Sequence, residues 1–389
     1  MNVITISREY GAGGGEVARR LSEALGWELL DHALLHQAAE LEQVSDAELE
    51  QWDEKAVSLA DRFRLHPPHE RYLSGLTEAT RRAAERGRVV LVGRGTRQLL
   101  GDLPGAFHLR LVAPREARIR RMAALENWTL EEAAARCAEV DRSREGYTRY
   151  FFGATALQPE QYDLVVNTLR IPLEDVAACV AAVVEQRWDG RPAAVAAADH
   201  RVLTLSRQLG AGESGFAPTL AARIGLTLFD RELLEQEARR LGVSEVELEK
   251  VDEQPAGIFQ RFRPGSLHQR YFETIGRLMH ELAAEGDVLL VGRGGSRLLR
   301  DLPRAFHVRL VAPLAVRVRR VMEFRWLAED AARKQIAESD ELRRRFYSDS
   351  FGADWSDPLE YDLTVNSGRL GAAAVELVAD AARRFWERG

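Results

Sequence analysis

The sequence predicts an α/β fold made twice over, and three observations lead there. The chain repeats itself at an offset of 199 residues. Within each repeat, short continuous apolar runs alternate with segments of helical spacing. Each repeat also opens with a β-rich run, a glycine-rich turn and an amphipathic helix. Strands that are apolar throughout, rather than on alternate residues, belong to a parallel sheet covered by helices on both faces. The expectation is a three-layer domain with a parallel five-stranded sheet, duplicated in tandem.

The repeat carries the domain organisation. Ser7-Arg8 aligns with Ser206-Arg207, and Gly11-Ala12-Gly13 with Gly210-Ala211-Gly212. The stretch DLPGAFHLRLVAP at 102–114 aligns with DLPRAFHVRLVAP at 301–313, with 11 of 13 positions identical. Tyr162-Asp163-Leu164 and Asn167 align with Tyr361-Asp362-Leu363 and Asn366. A period this long denotes duplicated domains, since solenoid repeats run to a few tens of residues. The reading is therefore copy one at 1–188, a linker at 189–200 and copy two at 201–389. The linker, DGRPAAVAAADH, places Gly, Pro and small residues between a helix and a new strand,. Fully extended it spans about 40 Å, which leaves the halves room to pack on each other in several ways.

Within copy one, residues 3–7 (VITIS) read as the first strand. A helix follows over 16–25, with Val17, Leu21 and Leu25 on one face and Gly26 as its C-terminal cap,. Residues 27–30 form a second strand ending at Asp31, and helices fill about 32–86. The third strand, 89–92, ends in Gly93-Arg94-Gly95; the fourth, 107–112, is stopped by Pro114. Helices at 115–124 and 130–150, a last strand at 164–166 and a last helix at 173–187 complete the copy. Ligands of such sheets bind beyond the carboxyl ends of the strands. Ser7, Asp31, Arg94 and Ala113 all stand there.

Composition bounds the function. A chain of 389 residues, 46% of them hydrophobic, has core enough for two or three domains,. A net charge of -6 argues against sequence-independent nucleic-acid binding, which needs a basic excess,. Local arginine clusters still suit small anionic ligands. The two cysteines, Cys137 and Cys179, make neither a disulfide framework nor a four-ligand zinc site, so a reducing cytoplasm is the expected compartment,. Met1 leads straight into a strand without a signal-peptide pattern, and the longest apolar run, 176–184, is too short to span a bilayer,. No metal-ligand cluster and no Ser-His-Asp order is visible.

The first loop, Ser7-Arg8-Glu9-Tyr10-Gly11-Ala12-Gly13-Gly14-Gly15-Glu16, joins a strand to a helix. That is the context in which backbone amides cradle a phosphate at a helix N-terminus. The same glycines would also serve a tight turn with no ligand. The usual GxxxxGK[ST] pattern is broken: Gly14 and, in copy two, Glu213 stand where the lysine belongs, and Glu16 and Gly215 replace the hydroxyl residue. A carboxylate near a phosphate costs about 4 kcal/mol per charge pair at an effective dielectric of about 20. Copy two is accordingly expected to bind triphosphate poorly.

In the order of these motifs the chain resembles the cytidylate kinase-like family, within the P-loop nucleoside monophosphate kinases. The opening ITISREYGAGGGEVARRLSEALG is similar to that family's first strand, glycine loop and helix. Asp31 and Asp230 match the aspartate ending the second strand, beside the monophosphate. Gly93-Arg94 and Gly292-Arg293 match a Gly-Arg pair, though Gly95 and Gly294 replace the aspartate that follows it. Family members commonly carry glycine at the lysine position and then a basic residue, where this chain has Gly15 and Ser214. Asp141-x-x-Arg144 and Asp340-x-x-Arg343 resemble the lid. The resemblance implies a P-loop NTPase-like fold and an ATP- and Mg²⁺-dependent phosphotransferase acting on a nucleoside monophosphate, with CMP or dCMP favoured.

On this reading Gly11, Ala12, Gly13, Gly14 and Gly15, with Arg8, hold the donor phosphates. Arg207, Gly210 and Gly212 repeat the arrangement in copy two. Asp31 positions the acceptor, and Arg94 and Arg144 offset transition-state charge. Arg8 and Arg207 either replace the missing lysine or clamp the loop backbone. Arg144 either reaches the phosphate or pairs with Asp141 one turn before it. Arg118, Arg120 and Arg121 spread around a helix, so at most two face the cleft. His69, Arg71 and Tyr72, with their twins His268, Arg270 and Tyr271, contact the base or pack helices; His108 and His307 read as core histidines. A catalytically degenerate pair that binds a nucleotide and reports its level is the second reading, and a purely structural module the third.

Overall fold

The computed structural model describes residues 2–31, 68–93, 95–153, 157–186, 200–212, 215–230, 267–292 and 294–388. The chain divides into two compact units, Met1–Trp188 and Asp189–Gly389. Ten strands are described, β1 to β5 in unit 1 and β6 to β10 in unit 2.

Unit 1 runs β1 (Val3–Arg8), α1 (Gly14–Leu25), β2 (Glu28–Leu30), α2 (Pro68–Arg86), β3 (Val89–Val92) and α3 (Thr96–Leu100). It continues with β4 (Ala106–Val112), α4 (Arg115–Glu126), α5 (Leu130–Phe152), β5 (Leu164–Asn167) and α6 (Leu173–Glu185). The strands lie in the order β2-β3-β1-β4-β5. All four pairings are parallel, with Val3 opposite both Val89 and Ala106, and Leu109 opposite Leu164. β1 sits between β3 and β4, so its carboxyl end lies at the crevice where connections leave in opposite directions.

The strand residues explain the layers. Val3, Ile4, Ile6 and every residue of β3 are buried, which only a sheet covered on both faces allows,. On one face α1 packs against α6; on the other, Leu76, Ala79 and Ala83 of α2 meet Val3, Val89 and Leu91. Gly26 closes α1 in the left-handed conformation at φ 64°, as its sequence position suggested,. α4 runs past Ala124 to Glu126 and ends on Asn127 at φ 56°. α5 opens with a capping box in which Thr129 and Glu132 satisfy each other's backbone amides,.

One polar pairing inside the sheet recurs in both units. His108 is a core histidine, its Nδ1 2.7 Å from Thr5 Oγ1. The His108 amide donates to Asp163 Oδ2 at 2.7 Å, which gives the repeated Tyr-Asp-Leu motif its role of tying β4 to the approach of β5.

Unit 2 repeats the plan with β6 (Val202–Arg207), α7 (Phe216–Ile224), β7 (Thr227–Phe229), α8 (Leu267–Glu285), β8 (Val288–Val291) and α9 (Gly295–Leu298). β9 (Ala305–Val311), α10 (Leu314–Arg325), α11 (Glu329–Phe351), β10 (Leu363–Asn366), α12 (Ser367–Leu370) and α13 (Ala373–Arg388) follow. Its strand order is β7-β8-β6-β9-β10, again parallel. His307 pairs with Thr204 at 2.7 Å and Asp362 takes the His307 amide at 2.8 Å. Among the described residues no helix is long and apolar enough to cross a membrane.

Candidate functional site

The chain leaves β1 through a turn that only glycine fits at two points. Gly11 (φ 79°) and Gly13 (φ 87°) are left-handed,. A Cβ on Gly11 would lie 3.0 Å from the Arg118 carbonyl oxygen, and one on Gly13 would lie 2.6 Å from both Leu173 methyls.

The carbonyls of this turn are held one after another. Arg118 Nη1 donates to Tyr10 O at 2.9 Å, Arg121 Nη1 to Gly11 O at 2.8 Å and Thr168 Oγ1 to Ala12 O at 2.9 Å. The Val17 amide donates to Gly13 O at 3.1 Å. In a trans peptide the carbonyl and the following N–H point opposite ways. Tying down the carbonyls of Tyr10, Ala12 and Gly13 therefore turns the amides of Gly11, Gly13 and Gly14 outward, to the mouth of α1. There the first amides have no acceptor within the helix, and its dipole favours an anion. The Ala12 amide alone folds back, to Glu9 O at 3.2 Å.

Arg118 is the centre of the support. Its side chain is 9% exposed. Nε donates to Ala113 O at 2.9 Å and stands 3.3 Å from Glu9 Oε2, while Nη1 pairs closely with Asp141 Oδ2. Asp141 Oδ1 accepts the Tyr10 amide at 2.8 Å. Asp141 thus anchors the loop. Of the four arginines on α4, Arg118 and Arg121 turn under the loop, while Arg115 and Arg120 are exposed to solvent. Burial pulls Arg121 below the ordinary arginine value.

Glu9 accepts the Ala113 amide at 3.1 Å, and its burial raises its pKa despite the nearby Arg118. A carboxyl with a raised folded-state pKa favours the native state fully below its unfolded value and loses that advantage as pH rises through the folded value. Unit 2 has the neutral Gln208 here, its Oε1 taking the Ala312 amide at 3.1 Å. Glu9→Gln is therefore expected to keep the amide bond and flatten the dependence of unit 1 stability on pH. Thermal melts between acid and neutral pH should show the mutant's advantage growing with pH.

Arg8 reaches Asp31, with 3.7 Å between Nη2 and Oδ1, and its stem lies over Gly14. A Cβ on Gly14 would come 2.7 Å from Arg8 Cγ, so the lysine position is glycine because Arg8 already crosses it. Gly15 faces open space. Glu16 points away along α1, to Arg19 at 2.8 Å and Arg20 at 2.6 Å. Arg144 comes from α5 to the same place: Nη1 donates to Arg8 O at 3.4 Å and its guanidinium lies 5.6 Å from the Tyr10 ring centroid. The structure therefore gathers Arg8, the glycine turn, Asp31 and Arg144 at the carboxyl ends of β1 and β2.

Unit 2 keeps the supports and changes the turn. Arg317 pairs with Asp340 at 2.8 Å and reaches Leu209 O at 3.4 Å; Arg320 reaches Gly210 O at 3.3 Å; Ser367 Oγ bonds Ala211 O. Gly210 is left-handed at φ 80°, but Gly212, unlike Gly13, is not. Burial lowers the Arg207 pKa while Asp230 raises it. Arg94, Arg293, Glu213, Ser214 and residues 189–199 of the linker lie outside the described residues, as do the side chains of His69, Arg71, Tyr72, His268, Arg270 and Tyr271.

The profile of the cytidylate kinase-like family matches residues 3–170 and again residues 202–369. The chain belongs to the cytidylate kinase-like family. Relatives match about half of it at a time. The cytidylate kinase of Pyrococcus horikoshii is 26% identical over 185 residues, 47% of this chain and 88% of its own length. That of Pyrobaculum aerophilum is 29% identical over 170 residues, 43% of this chain and 85% of its own. Among solved structures, shikimate kinase from Acinetobacter baumannii in complex with shikimate aligns over 48% of this chain and 94% of its own, with 17% identity and a TM-score of 0.31.

In this cytidylate kinase-like chain the turn, Arg8, Asp31 and Arg144, which motifs single out, lie near one another, whereas no motif marks what holds the turn. No motif contains Thr168, although Ser367 repeats its hydroxyl at the same offset. Arg118 and Arg121 were visible but not distinguishable from solvated helix surface. Among the described residues no cluster of three His, Cys, Asp or Glu side chains could hold a metal. Half-exposed Asp31 is the carboxylate at the mouth, and one such group suits Mg²⁺ that arrives on phosphates and keeps its waters,.

Proposed function

We propose that unit 1 is a nucleotide-dependent phosphotransferase. The donor's phosphates lie on the amides of Gly11, Gly13, Gly14 and Gly15. An acceptor monophosphate lies near Asp31, with CMP or dCMP favoured by the family. An oxygen of the acceptor phosphate attacks the γ-phosphorus of ATP and the β–γ bridging P–O bond breaks, leaving ADP and a nucleoside diphosphate. Among the described residues Arg8 and Arg144 are cations at this place, and they offset charge spread over the transferring oxygens,. Mg²⁺ carried in with the triphosphate and held beside Asp31 would neutralise the β- and γ-oxygens.

The observation that carries the reading is the row of held carbonyls under the turn, which spends two arginines and a threonine on aiming amides outward. A turn that merely joined a strand to a helix would need no such scaffold. The test is a coupled assay of the full chain with ATP, Mg²⁺ and a panel of monophosphates. Turnover is expected with CMP or dCMP, and absence of turnover with every monophosphate overturns the reading. Arg144→Ala should lower kcat at least tenfold with a smaller change in KM, since its charge matters most in the transition state. Arg343→Ala should change kcat less than twofold.

A further inference from the structure

Unit 2 carries an aromatic ring at the place where its ligand would lie. Trp355, in the turn after α11, is 3% exposed. Its Nε1 donates to Ser206 Oγ at 2.9 Å, at the carboxyl end of β6. The Arg309 guanidinium lies 4.6 Å from the ring centroid and the Arg343 guanidinium 5.9 Å. Tyr361 completes the nest, donating to Trp355 O at 3.1 Å and standing 5.8 Å from Arg309. The ring is hydrogen-bonded at one edge and stacked by two cations, one from β9 and one from the segment matching the lid.

The 199-residue offset turns Ser206, Arg309, Arg343 and Tyr361 into Ser7, Arg110, Arg144 and Tyr162. Trp355 alone changes in kind: position 156 is alanine, which lies outside the described residues. Arg110 keeps its tyrosine, 5.6 Å from the Tyr162 ring, and Arg144 stays beside the loop. Yet Arg110 is partly exposed, whereas Arg309 is 1% exposed. An alanine side chain is a single methyl, far smaller than an indole.

We propose that Trp355 is a built-in occupant of unit 2. Its indole, beside Arg309 and Arg343 and against Ser206, holds the position that a planar nucleobase takes in unit 1 beside Arg110 and against Ser7. The chain then has one open base site and one filled site, and Arg343 is engaged by the indole rather than by a phosphate. Guanidinium groups stack well on flat rings of either kind, which makes the indole a fair surrogate for a base. The assignment of the unit 1 ring position rests on the phosphotransferase reading; the filling of unit 2 does not.

Equilibrium dialysis of labelled CMP against the full chain tests it. Wild type should bind one CMP, and Arg110→Lys should weaken it at least tenfold. Trp355→Ala should bind two, and free indole added to that variant should displace the second only. Two CMP bound by wild type overturns the proposal. So does a single CMP, unmoved by indole, in a Trp355→Ala chain that keeps its thermal transition. Should that variant not fold, wild-type background decides: Arg309→Lys is expected to leave CMP affinity unchanged, and weakening equal to that of Arg110→Lys overturns the proposal. A wild type that binds no CMP, beside a Trp355→Ala chain that binds one displaceable by indole, upholds the filled site and rejects the phosphotransferase reading of unit 1.

Discussion

Arg118→Ala is expected to lower the stability of unit 1 by about 3 kcal/mol and to abolish nucleotide binding. One guanidinium serves the Ala113 and Tyr10 carbonyls and the Asp141 and Glu9 carboxylates. Removing it leaves two carboxylates facing each other in a poorly solvated place, and stranding a buried charge costs about 3–5 kcal/mol. The lower end applies because Asp141 and Glu9 keep 28% and 26% of their side-chain surface. Calorimetry should show the unit 1 transition at lower temperature, and dialysis should show the nucleotide gone. Arg118→Lys should recover little, because an ammonium lacks the planar fork that reaches four oxygens at once. Loss of binding without loss of stability would mean that Arg118 touches the ligand rather than the loop.

Gly13→Ala is expected to reduce anion affinity at least a hundredfold with the fold largely kept. The added methyl meets both Leu173 methyls at 2.6 Å, and an L-residue in the left-handed region costs about 1–2 kcal/mol,. The turn must rotate to relieve both, and rotation takes the Gly13 and Gly14 amides off the anion. Gly15→Ala is the matched control for stability. Its Cβ would meet nothing within 4 Å, and it lies inside α1, so it should stabilise by about 0.5 kcal/mol,. Comparing Kd for ATP in the two variants checks the claim; equal losses would remove the special role of the Gly13 conformation.

Much of this is legible in the sequence. The apolar runs of β1, β3 and β4 fall where continuous hydrophobicity placed them, and Gly26 ends α1 as its position after the last apolar residue required. His108 proved a core residue, its Nδ1 paired with the Thr5 hydroxyl and its amide with Asp163. The support of the loop was not legible. Arg118, Arg120 and Arg121 look alike in sequence, and their fates differ because a 3.6-residue turn gives each a different neighbour once α4 is docked. Trp355 is silent in the sequence for a related reason: a tryptophan between Asp354 and Ser356 has no periodicity to read, and its meaning comes from Ser206 and Arg309, distant in the chain, and from Arg343 on the helix before it.

From the residues alone came the duplication, the parallel sheet and the glycine turn at a strand's carboxyl end. These depend on local conformational preference and on which faces must be buried, and both are written along the chain. Which way the turn's amides point, why Gly14 cannot be lysine and where the Trp355 indole sits came from packing. Each of those depends on side chains up to 156 residues away meeting at one point, as Thr168 meets Ala12. No pattern in a single sequence encodes the direction of that meeting.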